Sequence, residues 1–212
     1  QKQGVYLVTG AAGFVGSRFV ESCNQRGIPV LSVDRVEYFT DRTEHSDVNF
    51  GEIRDRESFL EWLEGEGQGH PIRAIVHLGA CANTMETDAE YLRKTNLEYS
   101  QRLWKIASQR GIPMVYASSA ATYGDGAQGY DDDETKISSL KPLNLYGQSK
   151  QDFDVWALAQ EKSGKKPPNW AGFKFFNVYG LGERHKGKMA SVILHSSDQI
   201  RYKGSLKLFK TH

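Results

Sequence analysis

The chain has 212 residues, with 27 lysines and arginines against 26 aspartates and glutamates, a formal net charge of +1. That balance argues against a nucleic-acid surface driven by bulk charge, and no run approaches the ~18 apolar residues of a membrane span, so neither partner is expected. Two cysteines, Cys23 and Cys81, make no disulfide framework, and six histidines show no paired metal spacing, so a cytoplasmic protein without a metal is expected.

No methionine precedes Gln1, so a native start upstream is expected. Gln1-Lys2-Gln3 leads straight into a strand-like run, which predicts no signal peptide. That run, Val5-Tyr6-Leu7-Val8-Thr9, meets Gly10, and Phe14, Phe19 and Val20 then mark a helix face. Val30-Leu31-Ser32-Val33 reads as a strand ending at Asp34, and the glycines at 65–69 read as a surface loop. Ala74-Ile75-Val76-His77-Leu78 predicts a strand ending at Gly79. A longer helix follows, faced by Tyr91, Leu92, Tyr99, Leu103, Ile106 and Ala107. Met114-Val115-Tyr116-Ala117 ends at Ser118-Ser119, and the acidic run 131–134 reads as a solvated loop. Tyr146, Phe153, Trp156, Ala157 and Ala159 mark a third helix, and 162–169 a turn. Gly172-Phe173-Lys174-Phe175-Phe176 is the last strand, ending at Asn177.

Strands alternating with helices predict an α/β fold, a Rossmann-type doubly wound parallel sheet with ligands beyond its carboxyl edge. Residues 1–176 are expected to form a dinucleotide-binding domain. Residues 177–212, too few for a second compact domain, are expected to begin a smaller, here incomplete, substrate domain.

Gly10-Ala11-Ala12-Gly13-Phe14-Val15-Gly16 joins a strand to a helix with GxxGxxG spacing. Such glycines permit a tight turn, close approach of a pyrophosphate and close helix–strand packing. Alone the motif also fits a structural turn, but Asp34 follows at about the 20-residue spacing of a ribose-binding acid. Arg35 beside it, with Arg42 and Arg56 near in sequence, favours the 2′-phosphate of NADP, while solvated ion pairs remain open for Arg42 and Arg56. Gly79, Ala80, Cys81 and Ala82 offer a flat ledge for a cofactor, with Cys81 read as a small buried filler.

Tyr146-Gly147-Gln148-Ser149-Lys150 is the chain's one Tyr-xxx-Lys, and on a helix both side chains share a face. A nearby ammonium lowers a phenol's pKa from near 10, which makes a usable base. The same lysine is placed to bond a nicotinamide ribose. Ser118 and Ser119 close the preceding strand, where a substrate hydroxyl or carbonyl would lie.

Together these residues resemble the extended short-chain dehydrogenase/reductase family of sugar-nucleotide enzymes. The likeness rests on Thr9-Gly10-Ala11-Ala12-Gly13-Phe14, His77-Leu78-Gly79-Ala80-Cys81, Tyr116-Ala117-Ser118-Ser119-Ala120-Ala121-Thr122-Tyr123-Gly124, Pro142-Leu143-Asn144-Leu145-Tyr146-Gly147, Phe176-Asn177-Val178-Tyr179-Gly180 and His185-Lys186-Gly187-Lys188-Met189-Ala190-Ser191-Val192. It runs from Val5 to about Phe209. It implies a Ser119–Tyr146–Lys150 triad, Lys186 as a second acid/base, and tightly held NADP. It places Phe14, Val15, Leu78, Asn96, Val178 and Lys186 among the cofactor positions. It places Ser119, Asn177, Lys188, His195 and Phe209 against the substrate. It also implies a homo-oligomer, commonly a pentamer. Three departures stand out: Leu78 replaces a usual glutamate, Lys188 stands where a small or basic residue occurs, and Leu181-Gly182 replaces a usual Pro-Arg.

The chemistry implied is inversion of an unactivated stereocentre by oxidation and re-reduction, at carbon 6 of an ADP-heptose in lipopolysaccharide core precursor synthesis. Two proton-transfer groups suit that cycle. Dehydratases of the same family carry an acidic pair after the active-site serine or threonine; Ala120 and Ala121 occupy those places here and cannot transfer protons. A hexose 4-epimerase would keep the triad without needing Lys186. A non-catalytic dinucleotide-binding regulator would usually lose part of the triad.

Overall fold

The computed structural model describes residues 4–45 and 47–206. The chain divides into two compact units, Gln1–Phe176 and Asn177–His212. The first unit is built on six parallel strands: β1 (Val5–Thr9), β2 (Val30–Asp34), β3 (Glu52–Asp55), β4 (Ile72–His77), β5 (Met114–Ser119) and β6 (Trp170–Phe175). Their order is β3-β2-β1-β4-β5-β6, which reverses direction at β1/β4 and puts the topological switch point there. The doubly wound parallel sheet expected from the sequence is present.

Parallel strands are buried on both faces, and neighbouring residues serve opposite faces. Leu7, Leu31 and Ile75 join Phe59, Leu63, Leu103, Trp104, Phe153 and Ala157 in one core cluster. Their neighbours Val8, Val30 and Val76 join Val20, Cys23 and Phe50 in the other. Helix α1 (Phe14–Gln25) thus covers one face. Three helices cover the other: α3 (Arg56–Glu64), α5 (Tyr99–Arg110) and α6 (Leu145–Lys162).

β3 and α3 have no counterpart among the sequence expectations. Glu52-Ile53-Arg54-Asp55 is a charged edge strand paired with β2 alone, so it carries no apolar run. Short helices α2 (Glu37–Thr40) and α4 (Ala89–Leu92) complete the first unit, and α4 passes into α5 through a π-helical turn, Arg93–Glu98. The single long helix predicted there is therefore interrupted. The segment 65–69 is also more ordered than a surface loop: Gly67 is buried beneath the Trp62 ring. In the second unit Glu183 accepts from the Gly180 and Ser191 amides, Ser191 caps α7 (Val192–Lys203), and Gly204 ends it with φ at 67°.

A buried polar chain crosses the switch point. The Gly79 amide donates to Thr9 Oγ1 at 3.2 Å, and the Thr9 hydroxyl donates to His77 Nδ1 at 2.6 Å. His77 Nε2 donates to Ser100 Oγ at 2.8 Å, which donates to the Asn96 carbonyl at 2.6 Å. This pattern needs one neutral tautomer of the ring. Burial, with the Lys150 charge adding to it, pushes His77 down to about 3 from 6.5.

Two predictions follow from this packing. Trp104 is fully buried and its Nε1 donates to the Lys165 carbonyl at 2.9 Å. Trp104→Ala should cost ~3–5 kcal/mol in urea denaturation; a loss under ~1 kcal/mol would contradict the packing described. For His77, the unfolded chain takes up a proton below pH 6.5 that the folded protein refuses until about 3. Stability therefore falls as pH drops through that window, by up to about 1.4 kcal/mol per pH unit from this group. Between about pH 6.5 and 5, wild type should lose more stability than His77→Gln, whose side chain does not titrate. Equal losses would exclude His77 as the source.

Candidate active site

The glycine loop takes its shape from one crowded crossing. Gly10 has φ at +67°, and a Cβ there would lie 2.6 Å from the Gly79 amide nitrogen. At Gly16 a Cβ would lie 2.0 Å from the Gly10 carbonyl oxygen. These are close approaches that only glycine allows. Gly13 caps α1 without any side-chain hydrogen bond, and the first turn holds no acidic residue. The helix N-terminus therefore has no side-chain cap and keeps its positive dipole end, which suits a pyrophosphate.

Asp34 closes β2 and is buried. Its Oδ2 accepts from the Ala12 amide at 3.1 Å and its Oδ1 from the Arg35 amide at 2.9 Å. Burial raises its pKa, opposed by those two hydrogen bonds and by the Arg42 and Arg56 charges. Arg42 Nη1 and His45 Nε2 both donate to the Ala12 carbonyl, the latter at 2.7 Å. The guanidinium groups of Arg42 and Arg35 lie 4.1 and 5.8 Å from the Tyr38 ring centroid. Arg42 is thus part of the loop's support as well as a cation beside Asp34. Arg56 pairs with Glu57 at 2.7 Å, the ion-pair role left open for it.

The ledge after β4 is held at both ends. Thr9 holds the Gly79 amide, while Asn96 Oδ1 accepts from the Cys81 amide at 2.8 Å. Asn96 Nδ2 donates to the Cys81 carbonyl at 3.1 Å and to Ser149 Oγ at 3.0 Å. Asn96 sits in the π-helical turn, a feature that re-aims side chains inside a helix. Leu78, Gly79, Ala80 and Cys81 are half-buried and Ala82 is exposed. Cys81 is therefore not the buried filler expected. It stands close enough to Tyr146 and Lys150 to act on both electrostatically.

Helix α6 starts at Asn144, whose Oδ1 accepts from the Gly147 amide at 2.7 Å. One turn separates Tyr146 from Lys150 on it. Ser119 lies near enough to Tyr146 to favour its ionised form, and Ser119 Oγ accepts from the Ala121 amide at 3.1 Å. Lys150 Nζ donates to the Ala117 carbonyl at 2.9 Å. Burial pushes Lys150 down to about 8, against the opposing pull of Asp154 and Cys81. Burial also raises Tyr146, with Ser119 acting the other way and Cys81 adding to the rise. This corrects the expectation that Lys150 lowers the tyrosine: desolvation outweighs it, and the ammonium is turned to a backbone carbonyl.

Of the two serines only Ser119 faces Tyr146. Ser118 is buried and donates to Asp154 Oδ2 at 2.6 Å, because successive strand residues point to opposite faces. The sequence reading overlooked this parity, and with it Asp154 and Lys174.

The remaining candidates lie in the second unit. Asn177, Val178, Lys188 and His195 are exposed, and Lys186 is half-buried in a 3-10 segment, Arg184–Met189. Phe209 lies outside the described residues. Among the described residues no group of three or more His, Cys, Asp or Glu side chains is placed to hold a metal. No helix among them is long and apolar enough to cross a membrane.

The chain resembles proteins of known name along nearly all of its length. It is 42% identical over 214 residues to an ADP-L-glycero-D-manno-heptose-6-epimerase of Fusobacterium nucleatum, covering 97% of this chain and 62% of that protein. It is 40% identical to the protein of the same name in Nitratidesulfovibrio vulgaris, covering 98% and 63% respectively. The chain therefore spans less than two thirds of these relatives. A crystal structure of the Helicobacter pylori ADP-L-glycero-D-manno-heptose-6-epimerase superposes with a TM-score of 0.80 at 27% identity, over 99% of this chain and 66% of that one. MoeE5 in complex with UDP-glucose and NAD superposes at 0.65 with 28% identity, over 95% and 62%. The pattern of the NAD dependent epimerase/dehydratase family matches residues 6–212, and the chain belongs to that family.

Proposed function

We propose that the protein inverts carbon 6 of ADP-D-glycero-D-manno-heptose to give ADP-L-glycero-D-manno-heptose, a lipopolysaccharide core precursor, with a bound nicotinamide dinucleotide. The observation that carries this reading is the placement of Tyr146 beside Ser119 and one helical turn from Lys150, in a chain 42% identical to a protein named for that reaction. An MoeE5 structure holding UDP-glucuronic acid and NAD supports the same class of ligand pair.

The cradle fits the cofactor: a glycine turn whose backbone crossings leave no room for a Cβ, a helix N-terminus with no side-chain cap, and a buried carboxylate at the ribose position. Gly10, Gly13 and Gly16 would admit the pyrophosphate, Asp34 the adenosine ribose, and the ledge from Gly79 to Ala82 the nicotinamide half. Arg35 and Arg42, gathered at Tyr38, supply positive charge beside Asp34 and favour NADP. When bound, the cofactor accepts a hydride from the sugar carbon and returns it.

The chain's own residues handle protons. Ser119 holds the reacting oxygen by hydrogen bonding. Tyr146 takes the hydroxyl proton as the carbonyl forms and gives it back on reduction. Lys150 would hold the nicotinamide ribose and would supply the positive charge that a tyrosinate needs in a site where burial opposes its ionisation. Lys186 is assigned the second acid/base role. Ala120 and Ala121 leave no acid for elimination beside Ser119. A homopentamer in the cytoplasm is part of the same reading.

Purified protein incubated with ADP-D-glycero-D-manno-heptose should yield the L-glycero epimer on chromatographic separation. Turnover of a UDP-hexose instead would replace the heptose assignment with a 4-epimerase. Tyr146→Phe should lower turnover by at least ~10²-fold while nucleotide stays bound; near wild-type rates would remove Tyr146 from its role. Arg35→Ala should reduce the preference for NADP over NAD about tenfold in fluorescence titrations, as loss of one charge-assisted contact predicts. An unchanged preference would place 2′-phosphate recognition elsewhere.

A further inference from the structure

Beneath Tyr146 and Lys150 lies an ion pair the reaction scheme does not use. Asp154, one turn beyond Lys150 on α6, is buried, and its Oδ2 pairs with Lys174 Nζ of β6 at 2.7 Å. The carboxylate also accepts from the Tyr116 hydroxyl at 2.9 Å and from Ser118 Oγ at 2.6 Å. Lys174 Nζ donates in turn to Thr122 Oγ1 at 2.7 Å, and the Thr122 hydroxyl donates to the Ser119 carbonyl at 2.8 Å. With Lys150 on the Ala117 carbonyl, each of the residues 116–119 is pinned by a polar contact outside the sheet. These are the residues that present Ser119 to Tyr146.

A buried pair of this kind adds little stability over an apolar pair of the same volume. Its distinct contributions are geometry and field. The groups facing Lys150 are His77 and Cys81 from the β4 side and Asp154 from its own helix. His77 is neutral, so Asp154 supplies the negative charge. Around Asp154 stand Tyr116 from β5 and Lys174 from β6, the latter 5.3 Å from the Tyr123 ring centroid. Lys174, paired with Asp154, offsets part of the negative charge that Asp154 presents to Lys150.

We propose that Asp154 and Lys174 are positioning residues of the reaction centre: together they hold the end of β5 that presents Ser119, and their balance of charge keeps Lys150 an ammonium inside the fold. The inference rests on the proposed role of the Ser119–Tyr146–Lys150 group, though not on the identity of the sugar.

The signs separate field from scaffold. Lys150 titrates at about 8, so the alkaline limb of kcat/KM is expected there. Asp154→Asn keeps the side-chain shape and removes the negative charge. Lys150 then loses its proton sooner, and the limb should move down by about one pH unit. Lys174→Met removes the opposing charge, and the limb should move up. In the Asp154→Asn/Lys174→Met double variant it should lie between the two. The same displacements should appear in the pH dependence of NADPH binding, read by nucleotide fluorescence with no sugar present. A purely structural role would lower rates or affinity and leave both limbs where they are. Limbs unmoved in the soluble single variants, or moved in the same direction, would overturn the proposal. Should Asp154→Asn fail to fold, Lys174→Met and the double variant still decide it, by an upward limb in the first that the second reverses. Displaced binding limbs without ADP-heptose turnover would uphold the ion pair and reject the substrate assignment. ADP-heptose turnover with unmoved limbs would do the reverse.

Discussion

The crossing of the first and fourth strands' exits is the constraint from which the site follows. Gly10 leaves β1 with a positive φ and lies so close to the Gly79 backbone that no side chain fits between them. This contact brings the glycine loop and the ledge of small residues to one point, at the switch in strand order. The open helix N-terminus lies on one side of it and the Tyr-xxx-Lys helix is reached through Asn96 and Ser149 on the other. A bulky side chain at that crossing would push apart the two walls between which a dinucleotide would lie.

Around it the fold solves two burial problems differently. His77 remains neutral, because its single ring tautomer matches a donor chain running from Gly79 to Asn96. A charged ring would turn the Thr9 hydroxyl into an acceptor and take away the hydrogen bond it donates. Asp154 and Lys174 are buried as a pair, Asp154 with Tyr116 and Ser118 as further partners and Lys174 with Thr122. Both solutions end at the same place, the carboxyl edge of β4 and β5. That edge must be rigid, since a shift of β5 by one residue would exchange Ser118 for Ser119.

Much of the first unit was legible in the sequence. The five apolar runs all fall on strands, though β4 and β6 begin earlier than expected, at Ile72 and Trp170; the central strands are buried on both faces and so written as unbroken apolar runs, while β6 at the other edge is largely exposed. The edge strand Glu52–Asp55 was not legible, because an edge exposed to water needs no such run. The π-helical turn at Arg93–Glu98 was invisible for another reason: it alters the aim of Asn96 without altering the period of the apolar face enough to show. Ser118 was legible in principle, from the alternation of strand residues, but the pair Ser118-Ser119 reads as a unit until the strand's parity is counted.

By itself, then, the sequence determined what depends on neighbours along the chain: the order of strands and helices, the glycine spacing, the acid after the second strand, and a tyrosine and lysine one turn apart. Such features are fixed by local periods and by what glycine alone permits. Only the tertiary structure decided which way each polar group points and what charge it carries. Tyr146 has its pKa raised rather than lowered, Lys150 is turned to Ala117, and Asp154 is joined to a lysine twenty residues on. Those outcomes depend on desolvation and on partners brought from distant strands, neither of which is written in the spacing of residues.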